Sequence, residues 1–465
     1  MDNYGILTLI PPVIVILFAL WTKRTFEALL LGAIIGFFMT AKSGFMGATL
    51  YGFADTLAGD AWMFIVMSLL GSFVFLLQAS KGAYGFGKLV QKLAKNEKRT
   101  LMTSWLLGIV IFIDDYLNIL TISTSMMETC DQQKTPREML AYVIDSTGAP
   151  VCVLIPLSSW AVFYSGVLED TMGLDSGYGT GMEMYIHAIP YILYGWTAVI
   201  VVPFVILGII PKVRGMKKAY KRVADGGNVY SLESTSLNEG LGIALQAENI
   251  TEEEVAGGNS FKNIACFFIP LISIIAVTVV TMDLIIALGW TLVVMLVLYV
   301  PLKIVGFIDF WEAFAKGFAY MVPMNLIIAG ALTLKTSMDG IGLPDFVIET
   351  VLPLMNVNTF PAITFIVVAG LSFITGSNWG IPALTVPIII PLALAAGANP
   401  IIAFGAIVSG GTFGSHACFY SDATVLTSQS CRIKNLEHAF TQFPYALISA
   451  SLAIVGYLIV GFAFQ

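Results

Sequence analysis

The sequence predicts an all-α polytopic membrane protein made of two inverted-topology repeats, each with a re-entrant hairpin and a broken transmembrane helix. Three observations lead there. Of the 465 residues, 57% are hydrophobic and 11% charged, with a mean hydropathy of +0.85, which leaves too little polar surface for a water-soluble chain. Of the 23 lysines and arginines, 21 fall in segments that one topology places on a single side. The two halves also carry matching interruptions in otherwise apolar runs.

Apolar windows at 6–21, 26–40, 62–78, 186–210, 261–281, 284–302, 318–334 and 440–464 are mostly long enough to cross a bilayer core at about 1.5 Å per residue. Asp2 is the only early charge and a second apolar segment follows at once, which argues against a cleaved signal peptide. The five cysteines show no paired metal spacing and read as small packing residues. Basic residues cluster at Lys23–Arg24, Lys81–Arg99, Lys134 and Arg137, Lys212–Lys262, Lys303 and Lys316, and Arg432 and Lys434, leaving only Lys42 and Lys335. With those clusters cytoplasmic, the segment Leu101–Met127 begins and ends on one side, so it must enter and turn back with "DDYLN" at its tip. The acidic loop with Glu169, Asp170, Asp175 and Glu183 then falls outside.

Sliding the chain on itself by 264 residues lays Pro136 on Pro400, Asp145 on Ser409, Ser158 on Asp422 and Asp114 on Asn378. The expected organisation is therefore repeat one over 1–165, with three helices, a cytoplasmic-side hairpin at 101–130 and a broken helix at 138–166. A linker helix and charged cytoplasmic loop follow over 166–260, the charged part being 211–260. Repeat two spans 261–430, with three helices, an outer-side hairpin at 356–396 and a broken helix at 400–428, before a C-terminal transmembrane helix at 431–465. Inverted repeats with broken elements near the midplane are a design of secondary transporters, here placed in the inner (plasma) membrane.

The breaks are expected where glycine and proline interrupt apolar helices: Gly148-Ala149-Pro150 in the first broken helix, Gly410, Gly411 and Gly414 in the second, and "GSNWGIP" at the second hairpin tip. A charge at the bilayer centre costs at least about 2.5–3.5 kcal/mol, so carboxylates there are site candidates. They are Asp114, Asp115, Asp145 and Asp422, with one of Asp114 and Asp115 expected to bind and the other to cap the returning helix. Asp145 reads as a ligand or as a helix cap, and His416 as a site residue or a packed, hydrogen-bonded histidine. Asn118, Ser146, Thr147, Ser377, Asn378, Ser409 and Thr412 add uncharged oxygens, and Trp379 is a cavity wall or a packed aromatic. This acidic inventory faces no basic residue except Lys335 at a helix end, so it attracts cations. Sodium suits such oxygens, with Asp114 and Asp145 the expected ligands, and protons compete for the same carboxylates. Sodium and protons are thus the expected coupling ions, with no other cofactor, no P-loop for ATP and no nucleic-acid partner. The expected partners are the lipid bilayer and a small cation or small organic solute.

"FIDDYLN", "REMLAYVIDSTGAPVCVLIPLSSW", "GSNWGIPALTVPIIIPLA" and "SGGTFGSHACFYSDATVL" resemble the signature regions of the NhaC-type sodium/proton antiporter family, within the ion-transporter group of elevator-like carriers. The resemblance covers nearly the whole chain, the 226–260 linker least. It implies a scaffold of outer helices, a transport unit of hairpins and broken helices, and a homodimer. Relatives include carriers proposed for amino acids and organic acids, so two functions stay open. Sodium/proton antiport leads, and sodium- or proton-coupled transport of an amino acid or organic acid is the alternative. A membrane-embedded enzyme is disfavoured by the adjacency of Asp114 and Asp115 and by the repeat. The second hairpin tip departs from the family pattern, with Asn378 and Pro382 where a serine and a less rigid residue are expected.

Overall fold

The computed structural model describes residues 4–22, 24–59, 61–82, 95–173, 179–239, 261–281, 283–376 and 378–464. Among them every regular element is helical. The first apolar windows fold as α1 (Ile10–Thr22), α2 (Thr25–Ala41), α3 (Phe45–Gly59) and α4 (Ala61–Ala79). The polar-rich middle folds as α5 (Glu97–Val110), α6 (Asp115–Gln132), α7 (Arg137–Asp145), the single turn α8 (Ala149–Cys152), α9 (Ser159–Met172), α10 (Gly181–Ala188), α11 (Leu193–Leu207), α12 (Arg214–Ala224) and α13 (Ser236–Glu239). Then come α14 (Phe261–Thr281), α15 (Leu284–Tyr299), α16 (Phe307–Tyr320), α17 (Val322–Gly340) and α18 (Leu343–Val351). The chain closes with α19 (Phe360–Thr375), α20 (Gly380–Ala396), α21 (Pro400–Ala417), α22 (Asp422–Ser430) and α23 (Asn435–Ala463). Among the described residues six helices are long and apolar enough to cross a membrane, seven if Gly181–Tyr191 and Leu193–Leu207, bent by 47°, form one span.

The helices sort by packing into two groups. An outer group contains α1–α4 and α14–α18, with α2 against α17 and α4 against α16. A core group contains α5–α13 and α19–α23, with α6 against α22, α9 against α20 and α19 against α21. The groups meet where α4 lies beside α9 and where α17 and α18 lie beside α20.

Glycine sets the closest approaches. A methyl group on Gly71 of α4 would lie 2.3 Å from the Gly317 carbonyl of α16, and one on Gly317 would lie 2.3 Å from the Gly71 carbonyl. On α2, a Cβ at Gly36 would sit 2.6 Å from Ser337 Oγ of α17. Small residues at such crossings let helix backbones touch, the usual source of helix association in a bilayer.

The same chemistry corrects one expectation. Gly410, Gly411 and Gly414 lie inside the unbroken helix α21, and the interruption comes later, at 418–421. A Cβ at Gly410 would lie 2.7 Å from the Val368 side chain, and one at Gly414 would lie 2.3 Å from Ser372 Cβ, both on α19. Gly410 and Gly414 thus serve close packing of α21 on α19, and Gly411 close packing against Tyr164 of α9 and Pro382 of α20. The first broken helix is interrupted after Asp145, at 146–148, and again over 153–158.

The basic linker is strapped to helix ends. Arg222 of α12 makes a bidentate pair with the buried Glu138 of α7, at 2.8 and 3.0 Å, and reaches Glu437 of α23 at 3.7 Å. Ser231 and Ser234 each donate to Glu437 at 2.8 Å, and Arg137 bonds both oxygens of Asp131 and, at 2.5 Å, Asn238. Tyr220 donates to Glu97 at 2.5 Å; burial, then the adjacent Glu97 carboxylate, push its phenol well above its ordinary range, so it stays a donor. Residues 240–260 of the charged loop, and Asp175 of the acidic loop, lie outside the described residues.

Candidate functional site: an acidic cavity between the two helix groups

Two short interruptions face each other across the core. Between α5 and α6, residues 111–114 leave the helical path and Asp114 caps α6, its Oδ1 accepting from the Leu117 N–H at 3.0 Å. Between α19 and α20, Gly376 takes a left-handed φ of +67°, and any Cβ there would lie 2.5 Å from the Tyr420 ring. Asn378 follows and donates Nδ2 to Asp422 Oδ1 at 2.7 Å. Asp422 opens α22; it also accepts from the Ala423 N–H at 2.9 Å and, through Oδ2, from the hydroxyl of Tyr116 on α6.

These interruptions line a cavity of about 510 Å³ on the seam between the groups. The core supplies Asp114, Tyr116, Ser159, Asn378, Trp379, Tyr420 and Asp422; the outer group supplies Met67, Tyr320, Met321, Pro323, Met324 and Ile327. Asp114 and Asn378 are 2% and 3% exposed, whereas Asp422 is exposed, so the carboxylates span from the interior to the mouth. Asp114 Oδ2 receives a long 3.4 Å contact from Ser159 Oγ. Asn378 Oδ1 is buried with no hydrogen-bond partner among the described residues. Trp379 both walls the cavity and packs, with ring centroids 4.4 Å from Trp160 and 4.9 Å from Phe163.

The remaining sequence candidates divide into two places behind the cavity. Asn118 shares its Nδ2 hydrogens among the carbonyls of Gly108 (2.7 Å), Ile111 (2.8 Å) and Thr147 (3.1 Å), tying the α5–α6 interruption to the break after α7. Its Oδ1, like Oδ1 of the buried Asp115, has no hydrogen-bond partner. Asp145 does not line the cavity. Its Oδ2 instead receives Thr424 Oγ1 at 3.2 Å, His438 Nε2 at 3.0 Å and Gln442 Nε2 at 2.7 Å. His416 bonds Ser146 Oγ at 2.9 Å and Tyr194 Oη at 2.7 Å through its two ring nitrogens. Ser409 accepts from Tyr457 Oη at 2.6 Å and from the Tyr194 N–H at 3.2 Å. Thr147 and Thr412 turn their hydroxyls to carbonyls of their own helical segments, at 2.9 Å and 2.7 Å. Ser377 lies outside the described residues.

Sequence reasoning missed Tyr116, His438 and Gln442. One signal was available for the last two: they stand four apart on an otherwise apolar helix, which puts both polar groups on one face.

A family model described as the Na+/H+ antiporter family matches residues 151–462. An uncharacterized protein of Haemophilus influenzae is 25% identical over 493 aligned positions, covering 98% of this chain and 91% of that protein. Among solved structures, the fold is similar to that of Neisseria gonorrhoeae MtrF, whose structure is described as illuminating a class of antimetabolite efflux pumps; the TM-score is 0.65 at 14% identity, over 91% of this chain and 85% of that one. It is also similar to the Alcanivorax borkumensis YdaH transporter, with a TM-score of 0.58 at 11% identity, over 89% and 88% of the two chains. With its apolar spanning helices and its seam cavity, this chain belongs to the Na+/H+ antiporter family and is a multi-pass membrane secondary transporter, not an enzyme.

Proposed function

We propose that this transporter exchanges a cation for protons, with the cavity carboxylates Asp114 and Asp422 holding the one or the other. The observation that carries this reading is a cavity whose wall, among the described residues, holds two carboxylates and no lysine or arginine. Binding of a cation or of a proton neutralises the same charge, so each displaces the other, which is the minimal chemistry of exchange. Asp114 is the better placed of the adjacent pair to meet the cargo, with Asp115 and Asn118 presenting unpartnered oxygens behind it. Asp145 acts from behind the cavity, anchored to α22 and α23.

The movement is elevator-like: the core group slides along the outer group and carries the cavity residues with it. The position of the cavity on the seam supports this. An inverted repeat is supported by Ser158 and Ser421, which cap the second halves of the two broken helices in the same way. Each accepts an N–H from three residues on and donates to a carbonyl six residues back at 2.6 Å, Cys152 and Ser415 respectively. Their spacing is one residue short of the 264-residue offset read from the sequence. In this reading α5–α6 and α19–α20 are the re-entrant hairpins, and the basic 211–260 loop faces the cytoplasm of a plasma membrane.

The test is proton flux in proteoliposomes under an imposed sodium gradient. Sodium-driven proton movement that falls at least tenfold in Asp114→Asn is the expected result. Undiminished exchange in that variant would remove the cavity from the mechanism.

A second reading, coupled transport of an organic solute, is favoured by one observation, the size of the cavity.

A further inference from the structure

We infer that the cation this cavity carries is an organic amine with an apolar body. This rests on reading the cavity as the cargo site and deepens it by naming the cargo.

Volume argues first. Hard cations are held by a close shell of oxygens, at about 2.3–2.6 Å for calcium, and such a shell leaves no large void. About 510 Å³ falls instead within the roughly 300–1,000 Å³ of small-molecule pockets. The wall chemistry is equally telling. Thioether, aliphatic and aromatic side chains from Met67, Met324, Ile327, Tyr320 and Trp379 cover much of it and offer a bare ion nothing.

Donor and acceptor accounting then fixes the polar end. Three donors near the carboxylates are engaged: Tyr116 Oη and Asn378 Nδ2 on Asp422, and Tyr420 Oη on the Ile374 carbonyl. Open acceptors stand in the wall beside the Tyr320 hydroxyl. Asn378 Oδ1 is buried with no partner among the described residues, and Asp114 Oδ2 receives a long contact from Ser159. A cargo that satisfies them must bring N–H donors and positive charge, and a protonated primary amine brings both. Aromatic faces beside it add cation–π attraction. A carboxylic acid would bring a third negative group to a wall with no basic residue among the described residues, so the organic-acid alternative fits this cavity poorly.

The experiment uses the full chain in lipid nanodiscs and reads binding by thermal shift and calorimetry. The probes are phenethylamine, methylamine, the neutral analogue 2-phenylethanol, the carboxylate analogue 3-phenylpropionate, and sodium. Phenethylamine is expected to stabilise the protein, and the alcohol and the carboxylate to bind at least tenfold more weakly. Asp114→Asn and Asn378→Leu should each weaken phenethylamine at least tenfold, and Ile327→Trp should weaken it at least tenfold more than it weakens methylamine. Should Asp114→Asn fail to fold, the other two variants decide.

Equal binding of amine and carboxylate would overturn the inference, as would amine binding indifferent to both Asn378→Leu and Ile327→Trp. Sodium-driven proton flux with no amine binding would sink the amine inference and leave the exchange reading standing. Amine binding with no proton flux under either a sodium or an amine gradient would do the reverse.

Discussion

Tyr116 donates its hydroxyl to Asp422 across 306 residues of sequence, closing the acidic cavity between a helix of the first half and a helix of the second. The Tyr116 ring is also packed edge-on against Tyr320 of the outer group, with centroids 6.1 Å apart. One side chain therefore touches both helix groups at the cavity. Tyr116→Phe keeps the ring and removes the bond. Stability should drop by about 1 kcal/mol, the usual worth of one hydrogen bond. Exchange should slow about five- to tenfold, read as proton flux in proteoliposomes. A variant with the lower melting temperature and normal flux would reduce the bond to packing.

Behind the cavity, Asp145, His438 and Gln442 form a buried polar cluster joining α7 to α23. Removing one partner leaves a buried carboxylate under-bonded, so His438→Ala and Gln442→Ala should each destabilise by about 1–3 kcal/mol. Because the three share one oxygen, the double variant should be less than additive by at least about 0.5 kcal/mol. Additive losses in chemical or thermal unfolding would mean that the groups act independently.

The glycine row of α21 gives a test with its own control. Gly411→Ala places a methyl group 2.4 Å from Tyr164 Oη and 2.8 Å from Pro382 Cγ, an overpacking expected to cost about 1–3 kcal/mol. Gly289→Ala, in the interior of α15 with nothing within 4 Å of its added Cβ, should be neutral or stabilising by up to about 1 kcal/mol. Equal melting temperatures for the two variants would contradict the packing role.

These residues also show where the sequence was legible. Apolar length set out most of the spanning helices, and two aspartates in an apolar run marked the interruption at Asp114. The glycine row misled because glycine permits either a break or a close contact. Which it does depends on what lies opposite, and for Gly410 and Gly414 that is α19, a separate helix. Asp145 was visible as a buried charge, but its partner His438 stands 293 residues away, a pairing no local pattern encodes. The cavity itself was unreadable for the same reason, since its wall draws on six separate stretches of chain from Met67 to Val425.

The linker strap makes a topological and an energetic prediction. The Arg137 N–H donates to the Val229 carbonyl at 3.0 Å, so the α6–α7 turn and the linker share a side. Single cysteines at the exposed Lys134 and Gly227 should therefore react from the same face, the cytoplasmic one; the native cysteines are all buried. Labelling from opposite faces is incompatible with this fold. Arg222→Ala strips Glu138 of its bidentate partner while leaving it buried, and should destabilise by roughly 3–5 kcal/mol. A loss under about 1 kcal/mol in the melting curve would show that water or another cation reaches Glu138.

The contact of Gly71 with Gly317 carries a mechanical consequence. Where α4 and α16 cross, main chain rests on main chain, so neither helix can shift along the other without collision. One helical turn before Gly71 stands Met67, and one turn after Gly317 stands Met321, both turned to the cavity. Thioether chains are unbranched and yield to whatever presses on them. The outer group therefore joins a stiff frame to a compliant surface: two missing methyl groups fix the crossing, and the face turned to the cavity carries side chains that reshape under contact.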